Sequence, residues 1–385
     1  MKAAVFHKPG QIQVDNVEDP SLIDPTDVIL KVTSTAICGS DLHILSGAVP
    51  QAGNMIMGHE FMGIVEEVGK GVKKLKKGDR VVVPFPLSCG HCFFCNHGAS
   101  PHCEQSNYKN YGPNGNLTDQ KGGALFGYTD LYGGYSGGQA EYVRVPYADI
   151  SPRIVPDKLS DDQTLFLTDI FPTGWSAIDW AQLKGGETVA IFGSGPVGLM
   201  AQKAAWVNGA GRVIAIDPLE YRLKKARDVN HVTTLNPHDV EVVEAIRGMT
   251  EGRGADVCVD AVGFEPERTM MDKLKATINF EKGSMKVLDM AFRTVRRGGT
   301  VSIVGVYGST YDNFPLHRVF DKAITIKQGQ APVINYIDKL ITLVEENKVV
   351  LDDIISHTLP LSEASKGYEI FDKKEDDCVK VVLKP

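Results

Sequence analysis

One stretch restricts the fold of this chain more than any other. Gly193-Ser194-Gly195-Pro196-Val197-Gly198 follows an apolar run, Thr188-Val189-Ala190-Ile191-Phe192, and leads into a small, apolar helical run from Leu199 to Val207. A second β-like run, Arg212-Val213-Ile214-Ala215-Ile216, stops at the acid Asp217. Between a strand and a helix, such glycines serve a tight turn and close approach of the backbone to a pyrophosphate. The start of the helix adds free N–H groups and a positive dipole end, which suit phosphates. An acid where the second strand ends suits ribose hydroxyls and repels a 2′-phosphate, which points to NAD over NADP. Arg222, a cation close by in sequence, pulls the other way. The expected dinucleotide contacts here are Gly193, Gly195, Pro196, Val197, Gly198, Asp217 and Arg222.

The βα alternation continues, with strands expected over 232–235, 255–260, 300–305 and 324–328 and helices over 240–249 and 285–296. This pattern predicts a doubly wound parallel sheet with the cofactor across the carboxyl ends of its strands. Val262, Val306 and Gly329-Gln330-Ala331 fall at strand ends and become candidate contacts; ordinary βα turns are the plain alternative.

Before residue 169 the chain has another character. Strands are expected over 2–6, 12–14, 28–32, 61–69, 79–84 and 139–145, separated by Gly and Pro breaks. A length of 385 residues suggests about two domains. The net charge of -7 argues against nucleic acid or anionic membrane surfaces as partners. No run approaches the roughly 20 apolar residues of a membrane helix. The N-terminus lacks the apolar run of a signal peptide, so a cytoplasmic location is expected.

In that setting clustered cysteines speak for metal rather than disulfides. Cys89, Cys92, Cys95 and Cys103 form a C-x2-C-x2-C-x7-C pattern. Four thiolates can enclose Zn²⁺ tetrahedrally with no position left for substrate, which makes a structural site. An iron–sulfur cluster also uses close cysteines, but nothing else in the chain suggests electron transfer. His91, His97 and His102 are read as solvated loop residues.

A second cluster is Cys38-Gly39-Ser40-Asp41-Leu42-His43 with Gly58-His59-Glu60. Thiolate and neutral imidazole are preferred zinc ligands, and a hydroxyl and a further imidazole could carry a proton from whatever the metal activates. Taken alone, the same residues also fit a buried cysteine with surface histidines. Residues 107–138 form a long stretch rich in Gly, Tyr and Asn, including Tyr108, Tyr111, Tyr128, Tyr132 and Tyr135. A stretch of this kind is either functional or a plain surface excursion.

In their order and spacing, Cys-Gly-Ser-Asp-x-His, Gly-His-Glu, the four-cysteine lobe and Gly-x-Gly-x-x-Gly resemble the zinc-containing medium-chain alcohol dehydrogenases over nearly the whole chain. Gly127-Tyr128-Thr129-Asp130, Gly137-Gly138-Gln139-Ala140-Glu141-Tyr142, Asp260-Ala261-Val262-Gly263-Phe264 and Gly329-Gln330 resemble the glutathione-independent formaldehyde dehydrogenase and dismutase branch. The resemblance implies an α/β fold. A GroES-like β-rich catalytic domain would span 1–170, with a zinc lobe at 89–103 and an insertion loop at 107–138. A Rossmann NAD-binding domain would span 171–332, and 333–385 would return to the catalytic domain.

The resemblance also implies both a structural and a catalytic zinc in each subunit. Alcohol dehydrogenase is the familiar case of a Cys₂His catalytic zinc; here the ligands would be Cys38, His59 and Asp169, because Asp169 aligns where many relatives carry the second cysteine. A carboxylate donates less charge than a thiolate, leaving the metal a stronger Lewis acid. Glu60 is the competing third ligand or a transient neighbour. The implied reaction is hydride transfer from a small alcohol or aldehyde hydrate to NAD. Ser40 would take the substrate proton and pass it through the nicotinamide ribose towards His43. Gly39, Ser40 and Thr173 join the cofactor contacts, Gly39 standing where many relatives have a basic residue for the pyrophosphate. One alternative is a dismutase that keeps NAD(H) permanently bound, its long loop shielding the adenine end. Another is a non-catalytic zinc and nucleotide-binding protein. A homodimer or homotetramer is expected.

Overall fold

A computed structural model describes residues 1–107, 122–263, 285–307 and 314–385; Tyr108, Tyr111 and Phe264 lie outside the described residues. The N-terminal runs form an antiparallel hairpin, Lys2–Lys8 (β1) and Gln11–Asn16 (β2), turning at Gly10. Val28–Ile37 (β3) is the longest strand and pairs antiparallel with Glu60–Val68 (β4), which in turn pairs with Arg80–Val83 (β5). The first half of β3 also pairs with Tyr142–Val145 (β6). Alternate residues of these strands, including Val28, Leu30, Val32, Phe61, Val65, Val81, Val83, Val143 and Val145, build one core cluster. That is the period-two burial expected of a sheet packed on one face.

Gly39–Leu45 (α1) follows β3 directly. The sequence reading missed this helix because it is short and begins at Cys38, a residue with no strong capping preference. Its start is held by Asp41, whose carboxylate accepts the Cys38 N–H at 3.0 Å, the return half of a capping box.

Ile170–Asp179 (α2) carries the chain from one unit to the next, the division falling between Pro172 and Thr173. The second unit, Thr173–Ala331, holds a six-stranded sheet. Its strands are Thr188–Phe192 (β7), Arg212–Ile216 (β8), Thr233–Leu235 (β9), Ala255–Asp260 (β10), Val295–Ile303 (β11) and Thr325–Gln328 (β12). The order is β9-β8-β7-β10-β11-β12 with every pairing parallel, the doubly wound arrangement of dinucleotide-binding sheets.

Pro196–Val207 (α3) begins at Pro196, three residues before the expected start, with Gly195 as its N-cap. Proline is favoured at that first position because its missing N–H is unpaired there anyway. The helix expected over 285–296 ends at Thr294, and Val295 opens β11 instead, paired with Ala255. A β-branched residue that can join a ladder wins over the continued helical pattern.

Within the first unit, Pro332–Pro385 adds His357–Pro360 (β13) and Val381–Lys384 (β14). β14 lies parallel to β13 and antiparallel to the second half of β3. Ala364–Lys373 packs beside them and buries Tyr368, Ile370 and Phe371.

Gly198 is the tightest point of the second unit, since a Cβ there would overlap the Gly193 carbonyl oxygen. Gly198→Ala should therefore destabilise this unit by about 1–3 kcal/mol through overpacking, seen as a lowered midpoint in calorimetric unfolding. An unchanged midpoint would contradict this account of the turn.

Candidate active site

The register Ala36↔Glu60 brings the end of β3 beside the start of β4. Cys38 leaves one strand just as His59 enters the other, so their side chains meet at one end of the sheet. Asp169, the residue before α2, reaches the same point: its Oδ2 lies 3.2 Å from His59 Nε2 and 3.7 Å from Cys38 Sγ. Ligand atoms of Cys38, His59, Glu60 and Asp169 all fall within 4.8 Å of one another, and all four residues are buried. Tetrahedral ligands at 2.0–2.3 Å from zinc stand about 3.3–3.7 Å apart, so the spacings from Asp169 to His59 and to Cys38 fit that metal.

Burial, then the Glu60 and Asp169 carboxylates, push the Cys38 thiol up. Burial also raises Glu60, against the pull of Lys380. For His59 burial favours the neutral ring, but Asp41, Cys38 and Asp169 outweigh it and hold the ring well above its ordinary value. Three groups able to carry negative charge thus share a dry site with one ammonium, a charge pattern that a divalent cation completes. His59 turns Nδ1 to Asp41 Oδ1 at 3.1 Å. With a metal between the ligands, an Nδ1–H facing Asp41 would leave Nε2 free to ligate it, the usual carboxylate–histidine–metal arrangement.

One oxygen of Glu60 is engaged elsewhere, while its Oε2 is buried with no hydrogen-bond partner among the described residues. Its Oε1 accepts from Lys380 Nζ at 2.7 Å, and Lys380 also donates to the Ile37 carbonyl at 2.9 Å. Both side chains are fully buried, and breaking such a pair leaves a charge whose desolvation costs about 3–5 kcal/mol.

Ser40 Oγ stands 3.2 Å from His59 Nε2, and His43 follows one turn later on α1, buried with 6% exposure. Phe85 and Tyr128 meet the His59 ring edge-on, their centroids 6.2 and 6.1 Å away. The described part of the 107–138 stretch therefore packs onto this centre.

Cys89, Cys92, Cys95 and Cys103 converge as a second cluster of free thiols. The Cys89 N–H donates to Cys103 Sγ at 3.3 Å. Burial pushes Cys92 up, but backbone N–H donors from Cys95 and Glu104 bring its thiol down to about 7. N–H groups aimed at sulfur favour thiolates, which is the state that holds zinc. His91, His97 and His102 are exposed and stay outside the cluster.

In the second unit, Gly193 has φ +94°, and Gly195, Pro196, Val197 and Gly198 form the start of α3. Asp217 is buried and accepts the Ser194 N–H at 2.8 Å and the Leu219 N–H at 2.9 Å, with Arg222 at 3.8 Å. It thus ties the glycine turn to the end of β8. Val262 and Val306 follow β10 and β11; the Val262 N–H donates to Asp260, and Val306 is partly exposed. Past β12, Gly329 has φ +149°, Gln330 has a buried Oε1 without a hydrogen-bond partner among the described residues, and Ala331 is buried. Thr173 opens this unit within α2, whereas Gly39 and Ser40 belong to the first unit.

Several residues that shape the site escaped the sequence reading. Asp41 could have been found, because an acid three residues after a helix start signals a capping box. Lys380 carried a fainter sign, a cation inside the apolar run Cys378-Val379-Lys380-Val381-Val382. Gln139 and Asp260 were marked only as parts of motifs that carry the resemblance, with no role of their own, and Tyr368 had no usable signal.

Known proteins complete this picture. Residues 24–157 match the alcohol dehydrogenase GroES-like domain, and residues 196–278 match the zinc-binding dehydrogenase family. The chain is 46% identical, over all of both chains, to the zinc-type alcohol dehydrogenase-like protein AdhB of Bacillus subtilis. It is 32% identical to the glutathione-independent formaldehyde dehydrogenase of Pseudomonas aeruginosa, covering 96% of this chain and 94% of that one. Alcohol dehydrogenase TADH from Thermus sp. ATN1 superposes with a TM-score of 0.86 at 35% identity, over 100% of this chain and 99% of that one. The chain belongs to the zinc-type medium-chain alcohol dehydrogenase family, with its GroES-like domain and its Rossmann-type parallel sheet.

Proposed function

We propose that the chain is an NAD-dependent oxidoreductase that takes a hydride from a small alcohol or aldehyde hydrate of the formaldehyde type, with zinc held by Cys38, His59 and Asp169. The observation that carries this reading is the buried convergence of those three side chains at tetrahedral spacing. When bound, zinc supplies Lewis-acid polarisation of the substrate oxygen, and nicotinamide supplies the hydride acceptor. The chain's own residues do the rest. Ser40 Oγ, beside the metal-side nitrogen of His59, receives the substrate hydroxyl proton, and His43 on the same face of α1 takes it onward. Phe85 and Tyr128 keep water from the His59 side of the centre.

Asp169 is preferred to Glu60 as third ligand because Glu60 is already bound to Lys380. NAD is preferred to NADP because Asp217 would repel a 2′-phosphate, while Arg222 leans on that carboxylate. A substrate of the formaldehyde class is supported by the likeness to the Pseudomonas aeruginosa enzyme.

Metal analysis tests the ligand set: Asp169→Ala should lose one zinc equivalent relative to the parent, and Glu60→Ala should keep it. The reverse pattern would assign the third ligand to Glu60. Activity is tested by NAD⁺ reduction across formaldehyde, short alcohols and polyols, with bound cofactor measured beforehand. Turnover with added NAD⁺ on a small substrate is the expected result. Purified protein carrying stoichiometric NAD(H), and active without added cofactor, would instead mark the dismutase that never releases it.

A further inference from the structure

We propose that Gln139 and Tyr368 are positioning residues for the metal ligand His59, acting through Asp41 in a hydrogen-bond chain of fixed direction. The inference rests on the reading of Cys38, His59 and Asp169 as a zinc site. Tyr368 Oη donates to Gln139 Oε1 at 2.7 Å. The other end of that amide, Nε2, lies 3.1 Å from the Ala36 carbonyl and 3.3 Å from Asp41 Oδ2. Asp41 Oδ2 also accepts the Cys38 N–H at 3.0 Å, and Oδ1 faces His59 Nδ1 at 3.1 Å. Tyr368 is 2% exposed, His59 4%, and Gln139 and Asp41 not at all, so bulk water cannot stand in for a missing member.

The chemistry allows one direction only. The Ala36 carbonyl can only accept, so the amide end beside it must be the NH₂ group, and the opposite end must be the carbonyl. A carbonyl needs a donor, which Tyr368 supplies from the C-terminal helix Ala364–Lys373. The NH₂ group in turn engages Asp41 as an acceptor. An ionised Asp41, with Oδ1 3.1 Å from Nδ1, favours the proton on that nitrogen of His59 and so leaves Nε2 for the metal side. Backbone holds the amide from behind as well: Gly58, at φ +101°, has no room for a Cβ because Gln139 occupies that space. A residue far along the chain thus sets the orientation of a ligand at the entry to β4.

The test uses the intact zinc-loaded protein and competition with a chromophoric zinc chelator, on Tyr368→Phe, Gln139→Leu, Ser365→Ala and His59→Ala. Outer-sphere partners of zinc ligands typically alter affinity about 10–100-fold. Gln139→Leu, which frees Asp41 directly, should weaken the site about tenfold, and Tyr368→Phe, one step further away, about threefold. Ser365→Ala removes a hydrogen bond from the same helix to the Ile12 carbonyl, outside the chain, and should keep the parent affinity. Tyr368→Phe is nearly isosteric, so it keeps the test valid should Gln139→Leu fold poorly. If Tyr368→Phe and every folded Gln139 variant bind zinc as tightly as the parent, or if Ser365→Ala loses as much as Tyr368→Phe, the inference is wrong. His59→Ala separates the two claims. It should lose one zinc equivalent; if it does not, the zinc-site reading fails and takes this inference with it.

Discussion

The antiparallel pairing of Val28–Ile37 with Glu60–Val68 is the constraint on which the centre depends. Side chains alternate with a period of two, so a slip of one residue would reverse the face of everything downstream. Register irregularities between Ile29 and Leu30 and between Val32 and Ser34 set the phase that brings Ala36 opposite Glu60. From that pairing, Cys38 and His59 emerge at one end of the sheet, and Glu60 turns inward to Lys380. The C-terminal strand secures the other side of β3, since Val381, Val382 and Leu383 pair with Ile37, Ala36 and Thr35. Lys380 and Tyr368 are therefore parts of the centre although they come from the last residues of the chain.

The charges explain why the arrangement is stable only as a whole. Cys38, Glu60 and Asp169 share a buried volume in which Glu60 and Asp169 raise the cost of ionising Cys38, and Asp169 raises that of Glu60. Lys380 answers one of them. A divalent cation held there would answer the rest. The four-cysteine lobe applies the same logic with backbone N–H groups instead of an ammonium.

Much of this was legible in the sequence. The glycine turn, the strand before it and Asp217 after it define a unit whose order is enforced locally, by residues near one another in the chain. The cysteine lobe was legible for the same reason. Cys38 and His59 stood out by type as the proposed ligands, and Asp169 only through resemblance, because nothing in its own neighbourhood suggests metal. The contacts of Gln139, Lys380 and Tyr368 at the site were hidden because they come from pairings across long separations in the chain. The helix 39–45 was hidden because it is short and its N-cap, Cys38, has no strong capping preference. Val295 was assigned to the wrong element because a helical pattern and a strand ladder compete there, and the ladder partner Ala255 lies far back in the chain.

The central claim is that one zinc sits among Cys38, His59 and Asp169 while Glu60 stays with Lys380. An anomalous-difference map from crystals of the zinc-loaded protein, recorded at the zinc edge, tests it most directly. The account predicts a peak within about 2.0–2.3 Å of Cys38 Sγ, His59 Nε2 and an Asp169 carboxylate oxygen. A second peak should lie among Cys89, Cys92, Cys95 and Cys103. A peak bound by Glu60 with Asp169 turned away, or no peak beside Cys38 and His59, would contradict it.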